Sequence, residues 1–184
     1  MKKKEYKITV SKFFKHLHLV NRHRFKVFCL CFRAGEPLRG LLHDLSKYGP
    51  EEFFEGVKYY EGNYSPIRNC KIENGYSKAW IHHIGRNKHH YEYWFDFSIE
   101  HQKYMPIKIP INYVKEMICD RIAASKVYLK DKYTKSSALE YFNRTSDGKE
   151  MHPETCTLLK SWLELVADLG ENEAIKIIKK IKEY

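Results

Sequence analysis

From Ile8 to Phe32 apolar residues return at steps of three and four (Phe13, Leu17, Val20, Val27, Leu30), the period of one helix face. Ala34-Gly35-Glu36-Pro37 closes this segment, with glycine suited to a left-handed cap and proline to the first turn of the next helix. Leu38 to Lys47 reads as a short second helix stopped by Tyr48-Gly49-Pro50. Pro50 to Tyr60 reads as a third, with Glu51 and Glu52 near its N-terminal dipole. Residues 61–74, rich in Gly, Asn, Ser and Pro, read as a loop. Gly75 to Phe97 reads as helical, with a break near Gly85-Arg86-Asn87. After a second loop with Pro106 and Pro110 come helices over Ile111 to Asp131, Ser136 to Asn143, His152 to Asp168 and, beyond Gly170, Glu171 to Glu183. No segment reads firmly as a strand, and no repeat or shift in composition divides the chain. The pattern predicts an all-α, single-domain helical bundle over residues 1–184.

The 184 residues suffice to bury about two thirds of the unfolded surface in one core. A content of 43% hydrophobic and 15% aromatic residues argues against disorder. No apolar run nears the roughly 20 residues that span a bilayer, and the basic start Met1-Lys2-Lys3-Lys4 leads into no signal-peptide core. The expectation is a cytoplasmic protein with no membrane partner. Five cysteines without a CxxC pair suggest buried, reduced thiols rather than a zinc ribbon or redox pair. The net charge of +10 suits an anionic small-molecule substrate or nucleic acid. Part of it lies at the ends (Lys2 to Lys4; Lys176, Lys179, Lys180, Lys182), where the C-terminal set reads as a solvated face. The middle adds Arg22, Arg24, Arg33, Arg39, Lys47, Arg86 and Lys88.

The histidines change the picture. His43-Asp44 sits in Gly40-Leu-Leu-His-Asp-Leu-Ser-Lys47, where Leu41, Leu42 and Leu45 are expected to bury the helix and desolvate the pair. Such burial is costly unless a metal or a strong hydrogen-bond network satisfies both groups. His23 lies on the preceding helix. His82-His83 and His89-His90 follow, seven residues apart, which is two turns of an unbroken helix. Asp120 lies in the apolar Met117-Ile-Cys-Asp-Arg-Ile-Ala-Ala-Ser125, with Ala123 and Ala124 leaving room about one turn later.

This order of His, His-Asp, His, His and Asp resembles the HD-domain superfamily of metal-dependent phosphohydrolases, which bind one or two divalent metals inside a helical bundle. The chain is more closely similar to an uncharacterised bacterial and phage family that shares His-Asp-Leu-Ser-Lys, a stretch like Pro50-Glu-Glu-Phe53, and Ala-Trp…His-His…Arg-Asn-Lys-His-His…Glu-Tyr-Trp. The similarity centres on residues 16–130, with C-terminal helices over 136–184 expected to pack on that core.

The resemblance implies that His43 and Asp44 are the signature ligands and Asp120 the late aspartate. His23 serves as the first histidine, with His18 and His16 on the same helix as alternatives. Two of His82, His83, His89 and His90 complete the set, with His83 and either His89 or His90 favoured. Imidazole with carboxylate suits one or two Zn, Mn, Fe, Co or Ni ions. Such an ion acidifies water and polarises a phosphoryl oxygen. The implied activity is hydrolysis of a phosphomonoester, such as a nucleotide. Asp44 is then central to catalysis, Lys47 and Arg86 (with Lys88) contact phosphate, and Glu92 shuttles a proton or orients a ligand. The same ligands would also serve a di-iron oxygenase acting on a small hydroxylated substrate. A third reading is a basic nucleic-acid-binding protein whose metal site is structural or vestigial. Tyr91, Tyr93, Trp94, Phe95 and Phe97 are expected mainly in the core, and His101 and His152 to be ordinary.

Overall fold

A computed structural model describes residues 5–62, 64–145 and 147–184, so Lys2 to Lys4 and Asn63 lie outside the described residues. Thr9, in an extended conformation, accepts a hydrogen bond from Lys12 N at 3.2 Å and starts helix α1, Val10–Ala34. Gly35 ends it at φ 85°, a left-handed cap whose N–H reaches the Cys31 and Phe32 carbonyls. The buried stripe Val27, Leu30, Cys31 and Ala34 packs on α6, Ile111–Leu129. Helix α6 buries residues around most of its circumference, as a central helix must.

The second helix departs from the expectation. Helix α2 spans only Pro37–Leu42. His43 is extended at ψ 128°, Asp44 is left-handed at φ 54°, and Leu45–Tyr48 forms a 3-10 turn. Leu41, Leu42 and Leu45 are 56, 61 and 48% exposed, so they do not bury the His-Asp pair as expected. The break in the chain buries it instead. Gly40 allows α2 to sit directly on α1: a Cβ there would lie 2.6 Å from Cys31 Cβ and 3.0 Å from Phe28 Cα.

Helix α3, Pro50–Tyr59, agrees with the pattern. The presumed loop over 61–74 contains helix α4, Pro66–Asn74, with proline opening it and Gly75 at φ 81° capping it. Its turn-forming residues punctuate a helix rather than replace one. Helix α5, Lys78–Ile84, starts where Ser77 Oγ accepts from Trp80 N at 2.9 Å, and it stops at Gly85. The long helix expected over Gly75 to Phe97 therefore does not form. A 3-10 turn at Tyr91–Tyr93 and an antiparallel hairpin follow, with β1, Phe95–Ser98, paired to β2, Lys103–Pro106, from Phe95↔Pro106 to Ser98↔Lys103. Of the aromatic cluster expected mainly in the core, Tyr91 and Trp94 pack there, whereas Tyr93 and Phe97 are exposed.

Helices α7, Ser137–Arg144, and α8, Asp147–Glu150, lead to α9, Pro153–Leu169, and α10, Glu171–Lys180. Leu159, Trp162, Leu163 and Val166 of α9 and Ala174, Ile175 and Ile178 of α10 complete the core around α6. Burying each large side chain fully contributes about 1.5–3 kcal/mol. The chain is thus mostly helical with one small hairpin. Among the described residues no helix is long and apolar enough to cross a membrane. The cysteines are free, with Cys31, Cys70 and Cys119 buried and Cys29 and Cys156 half-buried.

Candidate metal centre

Arg24 of α1 fixes the turn at the end of α2. Its Nε donates to the His43 carbonyl at 2.7 Å, Nη2 to the Leu41 carbonyl at 2.8 Å, and Nη1 to the Tyr48 hydroxyl at 3.1 Å. With these carbonyls tied, His43 and Asp44 both turn inward and are 2 and 1% exposed.

Two sets of donor atoms meet at Asp44. On one side, the Nε2 atoms of His23 and His43 are 3.4 Å apart. Asp44 Oδ2 lies 3.3 Å from His43 Nε2 and 3.8 Å from His23 Nε2, and Asp120 Oδ1 lies 3.0 Å from His23 Nε2 and 3.6 Å from His43 Nε2. On the other side, Asp44 Oδ1 is 3.3 Å from His83 Nε2 and 3.5 Å from His89 Nε2, while His83 and His90 oppose Nε2 atoms at 2.9 Å. The histidine pairs meet through a tight turn after Gly85 rather than along two helical turns. Asn87 holds that turn, donating to the His83 carbonyl and to Ser46 Oγ, each at 2.8 Å.

Of the four middle histidines, His83, His89 and His90 converge and His82 does not. His82 faces Glu52 at 2.6 Å and Glu51 at 3.4 Å. His18 is exposed, and His16 is buried beside Phe53 and Gly56, outside both donor sets. His101 is exposed and His152 half-buried, away from the cluster.

Two glutamates absent from the sequence reading of the site orient the ligands. Glu116 Oε1 accepts from Nδ1 of His43 at 2.9 Å and of His89 at 3.0 Å. Glu52 accepts from Nδ1 of His83 at 2.7 Å through Oε2 and of His82 through Oε1. A neutral imidazole that donates from Nδ1 presents a lone pair at Nε2. The Nε2 atoms of His83 and His89 therefore meet Asp44 Oδ1 acceptor to acceptor. Among the described residues, Asp44 Oδ1 and His89 Nε2 are buried without a hydrogen-bond partner. Lys47 Nζ, 2.6 Å from Asp44 Oδ2, compensates only one side. The Nδ1 atoms of His43 and His89 also cluster with Glu116, but these groups satisfy one another as donors and acceptor.

The donor set fits transition-metal ions. Four ligands about 2.1 Å from a tetrahedral ion lie about 3.4 Å from one another, and the separations above run from 2.9 to 3.8 Å. Electrostatics favours the ligating forms. Burial pushes the Asp44 and Asp120 carboxyls up, but the histidines around both, and Lys47 beside Asp44, hold them well below the usual carboxylate range. Burial lowers His23, and burial with the charges of His89 and His83 lowers His90 strongly, so both rings are neutral. Burial also opposes a charge on His43, but Asp44, Asp120 and Glu116 outweigh it and raise this histidine well above its ordinary value. In a cluster so rich in carboxylates, the proton on His43 stands where a metal's charge would.

A cavity of about 650 Å³ opens onto His89, His90 and Asp120. Glu92 lines it, as do Arg68, Lys71 and Arg121, which the sequence reading did not single out. Lys47 lies instead on a smaller cavity of about 80 Å³ with His23, His16 and Tyr128. Arg86 is exposed in a separate groove with Lys88, behind Glu116 and His89, and does not line the cavity beside Asp120. Signals for some of the missed residues were present: Glu116 precedes Asp120 by four, which places both on one face of α6, and Asn87 lies within the Arg-Asn-Lys-His-His motif. Glu52 is in the first turn of α3, where its helix-dipole role hides its contact with His83.

Fold and site together define a mostly helical protein with buried His/Asp clusters that could bind metal. Residues 12–165 match a family of unknown function, DUF5662, and the chain belongs to that family. No curated protein and no solved structure is detectably similar to it.

Proposed function

We propose that this protein is a metal-dependent phosphohydrolase of the HD-domain type, acting on a phosphomonoester such as a nucleotide. One observation carries the reading: acceptor atoms from seven side chains, five of them buried and those of His90 and Asp120 half-buried, converge on two positions that share Asp44. His23, His43, Asp44 and Asp120 would hold one ion; His83, His89, His90 and the second oxygen of Asp44 would hold the other. Bound there, the ions would acidify a water and polarise a phosphoryl oxygen.

The chain's own groups supply the rest. Glu116 and Glu52 keep the histidine rings in the ligating tautomer. Lys47 stays charged, because Asp44 and Asp120 outweigh its burial, and it can neutralise a phosphoryl oxygen beside Asp44. In hydrolysis the water oxygen bonds to phosphorus, the ester P–O bond breaks, and the departing alcohol gains a proton. Glu92, which lines the cleft with His89 and His90, would carry that proton.

The test is phosphate release from p-nitrophenyl phosphate and a panel of nucleoside monophosphates, with Zn, Mn, Co, Ni or Fe added in turn. Metal-dependent release that disappears in Asp44→Asn is expected, since asparagine tolerates the left-handed backbone but removes the shared carboxylate. No release with any metal would overturn the reading. A protein isolated with iron that consumes dioxygen with a hydroxylated substrate would replace it with the oxygenase.

A further inference from the structure

The outer face of α1 is apolar and uncovered. Phe14, Phe25 and Phe32 are eleven and seven residues apart, close to three and two whole turns, so they form one row about 27 Å long. They are 62, 68 and 63% exposed. On one side of the row stand the leucines of α2. Leu38, Leu41 and Leu42 share a face of that helix and are all exposed, and Leu41 lies in one groove with Phe25 and Phe28. Single exposed apolar residues are ordinary, whereas a connected patch marks a surface that meets something.

The charges beside the patch favour an anionic occupant. Helix α1 carries Lys12, Lys15, Arg22, Arg24, Lys26 and Arg33 and no aspartate or glutamate in its 25 residues. Lys12 and Arg24 donate to backbone carbonyls, and Arg33 pairs with Glu171. Lys15, Arg22 and Lys26 form a second row beside the phenylalanines, and among the described residues no carboxylate pairs with them. Glu171 lies in the groove that Arg22, Phe25 and Lys26 line, but Arg33 and Lys126 already hold it.

A second copy seated on the same patch would set this basic row against its own counterpart, with a net charge of +10 on each chain. A nucleic acid could meet the cations and stack on the phenylalanines, but it offers the aliphatic leucines no apolar phase to enter. A phospholipid surface satisfies both, because an interfacial helix lies in the bilayer plane with apolar side chains at the acyl boundary and cations among the headgroups. A straight, protruding row also suits a flat, extended surface better than the cleft of an acidic protein.

We propose that the outer face of α1, with the leucines of α2 beside it, seats on an anionic phospholipid surface. Its phenylalanines enter the acyl boundary, and Lys15, Arg22 and Lys26 meet headgroup phosphates. Among the described residues no helix could cross a bilayer, and this seating needs none, so it revises the expectation of no membrane partner. It does not depend on the reaction at the metal centre.

The experiment is co-sedimentation of the full-length protein with vesicles of phosphatidylcholine, alone or with about a third phosphatidylserine. Binding to the anionic vesicles is expected, at least about tenfold tighter than to the neutral ones. Arg22→Gln/Lys26→Gln should weaken it about thirtyfold, each cation contributing about fivefold. Phe14→Ser/Phe25→Ser and Leu38→Ser/Leu42→Ser should each weaken it about tenfold or more. Lys149→Gln/Lys160→Gln, which removes two exposed cations from α8 and α9, should change it less than about twofold. None of the four substituted pairs is buried, so every variant should keep its melting temperature. No binding to either vesicle, a loss in Lys149→Gln/Lys160→Gln equal to that in Arg22→Gln/Lys26→Gln, or unchanged binding in either apolar variant overturns the proposal. So does a chain that sediments as a dimer until Phe14 and Phe25 are replaced, or tighter binding to a single-stranded oligonucleotide that Leu38→Ser/Leu42→Ser leaves unaltered.

Discussion

Replacing Glu116 by glutamine should weaken metal binding about thirtyfold without removing a ligand. One oxygen, Oε1, accepts from both His43 and His89, so a single substitution reaches both donor sets. Hydrogen bonds to a charged acceptor contribute about 1.5–3 kcal/mol each, and neutral ones are roughly half as strong. The amide oxygen can still accept, so the loss is about 1 kcal/mol per bond and about 2 kcal/mol in all, or some thirtyfold in Kd. The amide nitrogen would also occupy the place of Oε2, which lies 3.9 Å from Arg39 Nη1, donor facing donor. Competition against a chromophoric chelator, with zinc or manganese, gives the affinity, and elemental analysis gives the stoichiometry. Glu52→Gln should cost less, because only His83 of its two partners belongs to the cluster. Glu51→Gln should cost nothing, because that side chain is exposed and its partner, His82, stands outside the cluster. Glu116→Gln within twofold of wild type, or an equal loss in Glu51→Gln, would refute the orienting role.

Gly40→Ala should destabilise the fold by about 1–3 kcal/mol in urea titrations, because the added carbon would lie 3.0 Å from the backbone of α1; an unchanged midpoint would contradict the close packing of α2. Leu41→Ser should change stability by less than about 0.5 kcal/mol, since Leu41 is exposed despite its apolar surroundings in sequence; a loss above 2 kcal/mol would restore the buried helix. His16 predicts acid sensitivity. Burial, then the charge on Lys47, lowers it from 6.5 to about 4, so between these values the unfolded chain binds the extra proton. Stability should therefore fall as pH drops from about 6.5 to 4, by at most about 3 kcal/mol from this group. His16→Gln should flatten that part of the pH profile, and an identical slope in wild type and variant would show that His16 does not contribute.

Helices α1, α6, α9 and α10 were legible because each keeps an apolar period or a continuous apolar run long enough to outweigh local exceptions. The breaks between them were less so. Leu41, Leu42 and Leu45 look like a buried helix face, but apolar residues are common on surfaces and nothing in their spacing reports exposure. Pro66 and Gly75 look like loop residues and are the two ends of α4. The alternation in Phe95-Asp-Phe-Ser98 is too short to stand out within an aromatic-rich stretch that also suits a helix. In the site, the order of histidines and aspartates was visible because these residues are chemically distinctive in apolar surroundings. Glu52 and Glu116 were not, because glutamates occur along most helices and only contact with an imidazole sets these two apart.

Asp44 explains why the helix had to end where the sequence suggested it would continue. Neighbouring residues diverge by about 100° on a helix and about 180° on a strand, so neither allows His43 and Asp44 to face one centre. A left-handed residue between α2 and the 3-10 turn does allow it, and aspartate is among the few side chains that tolerate φ near 54°. The contacts around it offset the strain: Arg24 ties the carbonyls of Leu41 and His43, and Lys47 pairs with the carboxylate. The same turn leaves Leu41, Leu42 and Leu45 outside, so the exposed leucines and the buried His-Asp pair have one cause. Asp44 is left with one oxygen toward His23 and His43 and the other toward His83 and His89. A carboxylate held in strain between two sets of imidazoles, with Oδ1 buried and without a hydrogen-bond partner among the described residues, is better suited to ligating ions than to stabilising a core.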